Sequence, residues 1–187
     1  MKKVTWKIEH FTKMYKEFLS MNTDVHCGLF HSGGKAMQIQ QMSRDHAIES
    51  IHWTYLHPYT FYNTPDDAFD EALCEIMENK GMDYYSVLDE TGRLFGLFEY
   101  SFDGGVMEIG LGICPAQCGK GNGKAFVLRC IAFGRETYAY AGKIRLMVSD
   151  FNARAIHLYR SLGFVETDRL ESMSFGTPGT FIVMEME

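Results

Sequence analysis

The sequence lacks an apolar run of the roughly 18 residues that a helix needs to span a membrane. Its first residues, MKKVTWKIEHFTK, contain basic side chains but no uninterrupted apolar segment, so they lack the pattern of a signal peptide. Internal repeats and low-complexity tracts are also missing. With 187 residues, of which 46% are hydrophobic, the chain is long enough to bury a core. We therefore expect a soluble, cytoplasmic protein that contacts no membrane.

Positive charge is scarce. The chain has 18 Lys and Arg residues against 24 Asp and Glu residues, which gives a formal net charge of −6. Because nucleic-acid phosphates call for basic surfaces, this balance argues against a nucleic-acid partner. The same negative excess is compatible with a positively charged acceptor such as an amine.

A metal-binding pattern of cysteines is missing as well. The five cysteines are odd in number, and the pair Cys114 and Cys118 has no second pair or histidine cluster downstream to complete a zinc site. This pattern is typical of reduced thiols in a cytosolic protein. We expect no metal site.

Hydrophobic periodicity predicts the order of the elements. Residues 11–19 repeat apolar side chains at helical spacing and precede a turn-rich segment, GLFHSGGKA. We therefore divide the chain into an N-terminal extension, 1–35, which patches the domain or binds a partner chain, and one domain, 36–187; Met37 is an alternative biological start. We predict strands over 36–42, 83–89, 93–102, 106–114, 143–149, 164–170 and 180–186, and helices over 43–56, 65–81, 122–139 and 152–163. This order favours an α+β fold around one mostly antiparallel sheet.

A glycine-rich segment, CPAQCGKGNGKAF, lies between a predicted strand and a predicted helix. The Walker pattern fails because it requires a glycine at Cys118 and a hydroxyl side chain at Ala125. The dinucleotide pattern fails in both registers, at Lys124 and at Phe126. Consecutive amides at a helix start still form a nest for phosphate. A plain strand-to-helix turn is the alternative.

Two motifs, in the right order, resemble the GCN5-related N-acetyltransferase (GNAT) superfamily. The glycine segment is similar to the family's pyrophosphate loop, Arg/Gln-x-x-Gly-x-Gly/Ala, and NARAIHLYRSLGF matches Asn-x-x-Ala-x-x-Leu-Tyr-x-x-x-Gly-Phe at every fixed position. The segment WTYLHPYTFYN is similar to one in a subset of bacterial members without assigned substrates. Cys118 departs from the pattern, because the family mostly carries Arg or Gln there. The resemblance leaves open whether this substitution weakens cofactor binding, since the family residue contributes mainly its backbone N–H to the phosphates.

The resemblance, which covers about residues 36–187, implies a fold and a cofactor. The implied fold has a mixed, mostly antiparallel sheet of about seven strands flanked by helices, and the implied cofactor is acetyl-CoA. Its pantetheine arm would extend along the edge of strand 106–114, splayed by a bulge that Gly110 and Gly112 permit. The cofactor-binding residues implied are Leu111, Ile113, Cys118, Gly119, Lys120, Gly121, Asn122, Gly123, Lys124, Asn152 and Tyr159.

The resemblance also implies catalytic roles. Tyr159 would donate a proton to the departing thiolate, although such a tyrosine is otherwise a core residue. Glu108 is the expected base, with Glu99 in reserve and a water chain as the alternative. An aromatic segment would wall the acceptor site or, alternatively, fix its loop onto the sheet. Its expected substrate-binding residues are Trp53, Tyr55, Tyr59 and Tyr62.

Together these features predict direct transfer of acetyl from acetyl-CoA to an amine in a ternary complex. The acceptor is left open among a protein N-terminus or lysine, a polyamine, an amino sugar and another small amine. A homodimer is compatible with the resemblance. The alternative is a GNAT-fold module that binds acyl-CoA for sensing or assembly without turnover.

Overall fold

The strands form one sheet. In the computed structural model, which describes residues 29–32, 35–78, 81–174 and 177–187, eight strands are bonded in the order β1-β2-β3-β4-β5-β6-β8-β7. They are β1 (Leu29–Ser32), β2 (Lys35–Gln41), β3 (Met82–Leu88), β4 (Leu94–Asp103), β5 (Val106–Ile113), β6 (Ile144–Ser149), β7 (Val165–Ser174) and β8 (Thr177–Met186). Every neighbouring pair is antiparallel except β5 and β6. The predicted α+β class and mostly antiparallel sheet are confirmed.

Strand β1 was not predicted. It lies in the turn-rich segment GLFHSGGKA and pairs with β2 from Leu29↔Gln38 to Ser32↔Lys35. Four residues carry too little pattern to be recognised alone, because such a short strand depends on its hairpin partner. This hairpin crosses the boundary proposed after residue 35, and the division into extension and domain stays a prediction. The helix predicted over 11–19 lies outside the described residues.

Four α-helices flank the sheet in the described part of the chain: α1 (Arg44–Ile51), α2 (Phe69–Glu78), α3 (Gly123–Thr137) and α4 (Ala153–Ser161). Two of these helices begin with a side-chain N-cap. The Ser43 hydroxyl accepts the His46 N–H at 3.2 Å, and the Asn152 side-chain oxygen accepts the Ala155 N–H at 3.2 Å. Each cap satisfies an amide that the first helical turn leaves without a partner.

Helix α1 ends at Ile51, five residues before its predicted end at 56. The aromatic segment that follows folds back on itself instead of continuing the helix. The Tyr55 N–H donates to Asn63 Oδ1 at 2.7 Å, and Asn63 Nδ2 donates to the Tyr55 carbonyl at 3.2 Å. A side chain eight positions away therefore takes the backbone bonds that a longer helix would have used.

The helices cover the two faces of the sheet in pairs. Because successive side chains on a strand point to opposite faces, Phe98 and Tyr100 of β4 enter the main core, which α3 and α4 cover. Leu97 points to the other face, where α1 and α2 pack around Tyr84. The carboxylate of Glu99 lies on this second face, beside Tyr84 in the register of β3 and β4.

Candidate active site

The sheet opens between β5 and β6. The two strands pair only at Met107↔Ile144 and Glu108↔Arg145, whereas β6 stays paired with β8 as far as Ser149. Beyond Glu108 the strands separate, and a cleft of about 900 Å³ occupies the gap. The cleft therefore reaches both faces of the sheet.

The backbone of β5 faces this gap. The Cys114 N–H donates to the Phe95 carbonyl of β4 at 2.9 Å. In an antiparallel ladder every second residue of a strand bonds to the same neighbouring strand, so Gly112 also faces β4. Leu111 and Ile113 therefore direct their N–H and C=O groups away from β4 and towards the gap. The Ile113 carbonyl already accepts the Tyr55 hydroxyl at 3.0 Å. The Leu111 backbone and the Ile113 amide are the groups left to meet a ligand.

The bulge expected on β5 is not present. The register between β4 and β5 runs without a shift from Gly96↔Ile113 to Asp103↔Val106. The splay comes instead from the early end of the β5–β6 pairing. Gly110 serves another purpose, because a Cβ there would lie 2.9 Å from Cδ of Glu99. The missing side chain makes room for the Glu99 carboxyl.

The glycine segment forms one end of the cleft. Gly119 and Gly121 have φ of +76° and +81°, a left-handed conformation that glycine adopts without steric cost. The first helical bond of α3 runs from Phe126 N–H to the Asn122 carbonyl, so the amides of 123–125 precede it. The helix also presents its positive end here. This arrangement favours an anion such as pyrophosphate.

Most of the predicted loop residues line the cleft: Cys118, Gly119, Gly121, Asn122, Gly123 and Lys124. The Lys120 side chain does not, because its ammonium donates to Gln117 Oε1 at 3.2 Å in an exposed position. The side chain of Asn122 does not cap α3. Both residues can still offer their backbone amides to a ligand.

Arg154 is a cleft residue that sequence reasoning missed. It follows the N-cap of α4, and its guanidinium lies 4.8 Å from the ring centroid of Tyr59. It is also next to the Cys118 thiol: burial raises the pKa of this thiol, and the neighbouring Arg154 charge partly opposes the rise. The structure therefore brings a guanidinium to the residue where the family pattern would place Arg or Gln. The signal was a basic residue in the first turn after Asn152.

Asn152 joins α4 to the aromatic segment. Besides capping the helix, it donates from Nδ2 to the Tyr62 hydroxyl at 3.0 Å. Trp53, Tyr55, Tyr59 and Tyr62 all line the cleft. Phe61 instead packs on Phe151 and Phe181, at centroid distances of 5.6 and 5.8 Å. One segment thus both walls the cleft and fixes itself to the sheet.

Tyr159 lies in the cleft wall on the α4 side. Its side chain is only 8% exposed and packs edge-on against Phe164 at 5.8 Å. Burial raises the pKa of its phenol, helped by the Cys130 and Tyr62 groups nearby, so the hydroxyl stays protonated. Within the described part of the chain, no hydrogen bond occupies this hydroxyl. It can therefore donate to a ligand.

The two candidate bases lie in different surroundings. Glu99 lines the cleft, and burial, aided by the Glu75 charge, raises the pKa of its carboxyl to about 7. Glu108 is not among the described lining residues of the cleft, and its Oε1 lies 3.2 Å from Arg145 Nη1. Arg145 lies where β5 and β6 are still paired. The structure thus brings Glu99, and not Glu108, to the gap.

The chain belongs to the acetyltransferase (GNAT) family, because that family's model matches residues 46–164. The comparison with curated proteins found no sequence relative. The fold agrees with this membership, and the implied superfamily is confirmed.

Solved structures share the fold at low identity. A spermidine N-acetyltransferase from Vibrio cholerae in complex with CoA and spermine has a TM-score of 0.64 and 22% identity, over 80% of this chain and 94% of that chain. The spermidine/spermine N-acetyltransferase SpeG from Vibrio cholerae with manganese ions has a TM-score of 0.60 and 23% identity, over 80% and 91%. A spermidine N-acetyltransferase described as dodecameric has a TM-score of 0.59 and 22% identity, over 80% and 92%.

No helix in the described ranges combines the length and the apolar character required to cross a bilayer.

Proposed function

We propose that this protein is an N-acetyltransferase that moves acetyl from acetyl-CoA directly to an amine. One observation carries the proposal. A single cleft contains an anion-binding loop, an open strand edge, a protonated tyrosine and a carboxylate with a pKa of about 7. These are the groups that a ternary-complex transfer needs, and no covalent enzyme intermediate is required.

The residues at the loop end fit coenzyme A. The amides of 119–125 and the positive end of α3 would hold the pyrophosphate, and the Lys124 and Arg154 charges would complement it. Arg154 would restore the positive side chain that Cys118 removes from the family pattern. The open backbone of Leu111 and Ile113 would bond the pantetheine arm like an added strand. A fold relative crystallised with CoA supports this choice.

The opposite faces of the sheet would supply the acid and the base. Acetyl-CoA brings an acetyl group already activated as a thioester. An ammonium with a pKa of about 10 must lose a proton before it can attack, and Glu99 is placed to accept it. The N–H of Leu111 or Ile113 would polarise the carbonyl. Tyr159 would protonate the sulfur as the carbon–sulfur bond breaks.

The alternative is a module that binds acyl-CoA without turnover. The described structure gives it little support, because Tyr159 and Glu99 both line the cleft with no hydrogen-bond partner among the described residues. A merely structural tyrosine or a buried carboxylate would normally be hydrogen-bonded. Catalysis explains why the Tyr159 hydroxyl and the Glu99 carboxyl both face the cleft.

Transfer to an amine is tested by measuring both products. We expect that mixing the protein with acetyl-CoA and a primary amine releases free thiol and yields one acetylated amine per thiol, seen by mass spectrometry. A tertiary amine of similar size is the control, since it has no N–H proton to lose. Equal thiol release with both amines would indicate hydrolysis and contradict the proposal, as would no release at all.

A further inference from the structure

The charges of the cleft are divided between its two ends. Among its described lining residues, the lysine and arginine side chains are Lys124 and Arg154, both at the glycine loop. The carboxylates that line it are Glu75 of α2 and Glu99 of β4. They lie on the face that α1 and α2 cover, away from the loop. A ligand that fills the cleft thus meets a positive end and a negative end.

The negative end is built around two carboxylates, neither of which forms an ion pair with a lysine or arginine in the described part of the chain. Glu99 sits in the space that Gly110 leaves open, and no hydrogen bond to it occurs among the described residues. Glu75 lies close enough that its charge raises the pKa of Glu99 and of the Tyr84 phenol. Two carboxylates near each other in a partly buried site repel, and a bound cation relieves this repulsion.

The surroundings of the pair favour organic cations. Trp53 and Tyr84 line the same cleft, and the Trp53 ring reaches Gly112, where a Cβ would lie 3.5 Å from its Cζ3 atom. Aromatic faces attract alkylammonium groups and pack against the carbon chain between them. A small inorganic cation would use the carboxylates but not this apolar wall.

We propose that the acceptor carries two cationic nitrogens joined by a short carbon chain. One nitrogen reacts at Glu99, and the second remains an ammonium that Glu75 holds at the rim. This inference rests on the proposed acetyl transfer and names the substrate class for the same site.

The proton and charge balance also accounts for product release. The reacting ammonium gives one proton to Glu99, its nitrogen forms the bond to the acetyl carbon, and the carbon–sulfur bond breaks. Tyr159 protonates the sulfur, the nitrogen's second proton passes to the tyrosinate, and the proton on Glu99 is then released to solvent. The product has one positive charge fewer than the substrate, since an amide is neutral. The attraction to Glu99 is therefore lost when the reaction is complete.

The test compares acceptors that have the same carbon chain. Putrescine carries two amines, n-butylamine carries one, and γ-aminobutyrate carries an amine and a carboxylate. We expect kcat/KM for putrescine to exceed that for n-butylamine by about tenfold, since a hydrogen bond between charged groups contributes this much. We expect γ-aminobutyrate to be the poorest acceptor. Equal rates with putrescine and n-butylamine would overturn the inference and leave the acetyl transfer intact.

A matched pair of variants locates the second contact. Glu75→Gln should raise KM for putrescine about tenfold with little change in kcat, and should change KM for n-butylamine far less, when both are measured above pH 7, where Glu99 is a carboxylate in either protein. Glu71→Gln, an exposed change on the same helix and outside the described cleft lining, should change neither. If Glu75→Gln and Glu71→Gln had the same effect on KM for putrescine, the role of Glu75 would be overturned. Failure to acetylate any amine would overturn the inference together with the proposed function.

Discussion

Tyr159→Phe is expected to lower kcat about a hundredfold, the usual contribution of a positioned general acid. The raised pKa of this buried phenol keeps the proton available over the working pH range. The affinity for CoA should stay within about twofold, because the ring and its contact with Phe164 remain. Stopped-flow thiol release and calorimetric binding measure the two effects separately.

Tyr140→Phe is the matched control for this change. The Tyr140 hydroxyl donates to the Lys143 carbonyl at 2.6 Å, in the connection between α3 and β6, away from the described lining of the cleft. Its loss should lower the melting temperature and leave kcat unchanged. If Tyr159→Phe retained full turnover, the tyrosine would be a wall residue and the proton would have to come from elsewhere.

Glu99→Gln is expected to lower kcat about a hundredfold and to change the pH profile. The carboxylate is the active form of Glu99. Wild-type kcat/KM should therefore fall as the pH drops through about 7, which is the pKa of Glu99 in the enzyme without substrate. In the variant this inflection should disappear. A separate rise at higher pH should remain, because it belongs to the amine itself.

The stability of Glu99→Gln gives a second readout. A carboxyl whose pKa is raised on folding stabilises the fold only while it is protonated, and this contribution is lost as the pH rises through about 7. We therefore expect the variant to melt at a higher temperature than the wild type above pH 7. Higher stability with lower activity is typical of a residue retained for catalysis.

Glu108→Gln separates the two candidate bases. The Glu108 and Arg145 side chains are 29% and 24% exposed, so the loss of their ion pair should cost less than about 1 kcal/mol. Turnover and its pH profile should match the wild type. A large loss of kcat in this variant, with Glu99→Gln active, would return the role of base to Glu108.

Local patterns were sufficient to predict where the glycine loop and the tyrosine lie in the fold, and the roles assigned to them stay predictions. The glycine spacing at 119–123 and the cap at Asn152 depend on residues close in sequence, and the structure reproduces both elements. Because α4 is a regular helix, the position of its N-cap Asn152 also determines on which side of the helix Tyr159 lies. Each of these features is set within one turn and one helix.

The choice between Glu99 and Glu108 could not be made in the same way. The two residues lie on neighbouring strands and face the same side of the sheet, since Glu99 pairs with Gly110 in the register of β4 and β5. Which one meets the cleft depends on where β5 and β6 stop pairing, and that is a tertiary property. The early end of α1 and the placement of Arg154 beside Cys118 likewise depend on contacts between distant segments.

Thermal melting with added ligand tests whether the cleft binds coenzyme A through the glycine loop and Arg154. At a hundredfold excess over Kd, acetyl-CoA and CoA should each stabilise the fold by about 2.7 kcal/mol, whereas ATP and NAD should not. Arg154→Ala should weaken CoA binding about tenfold, and Arg160→Ala, which removes an exposed arginine of the same helix, should leave it unchanged. Stabilisation by ATP without stabilisation by CoA would show that the cleft binds a nucleotide and not coenzyme A.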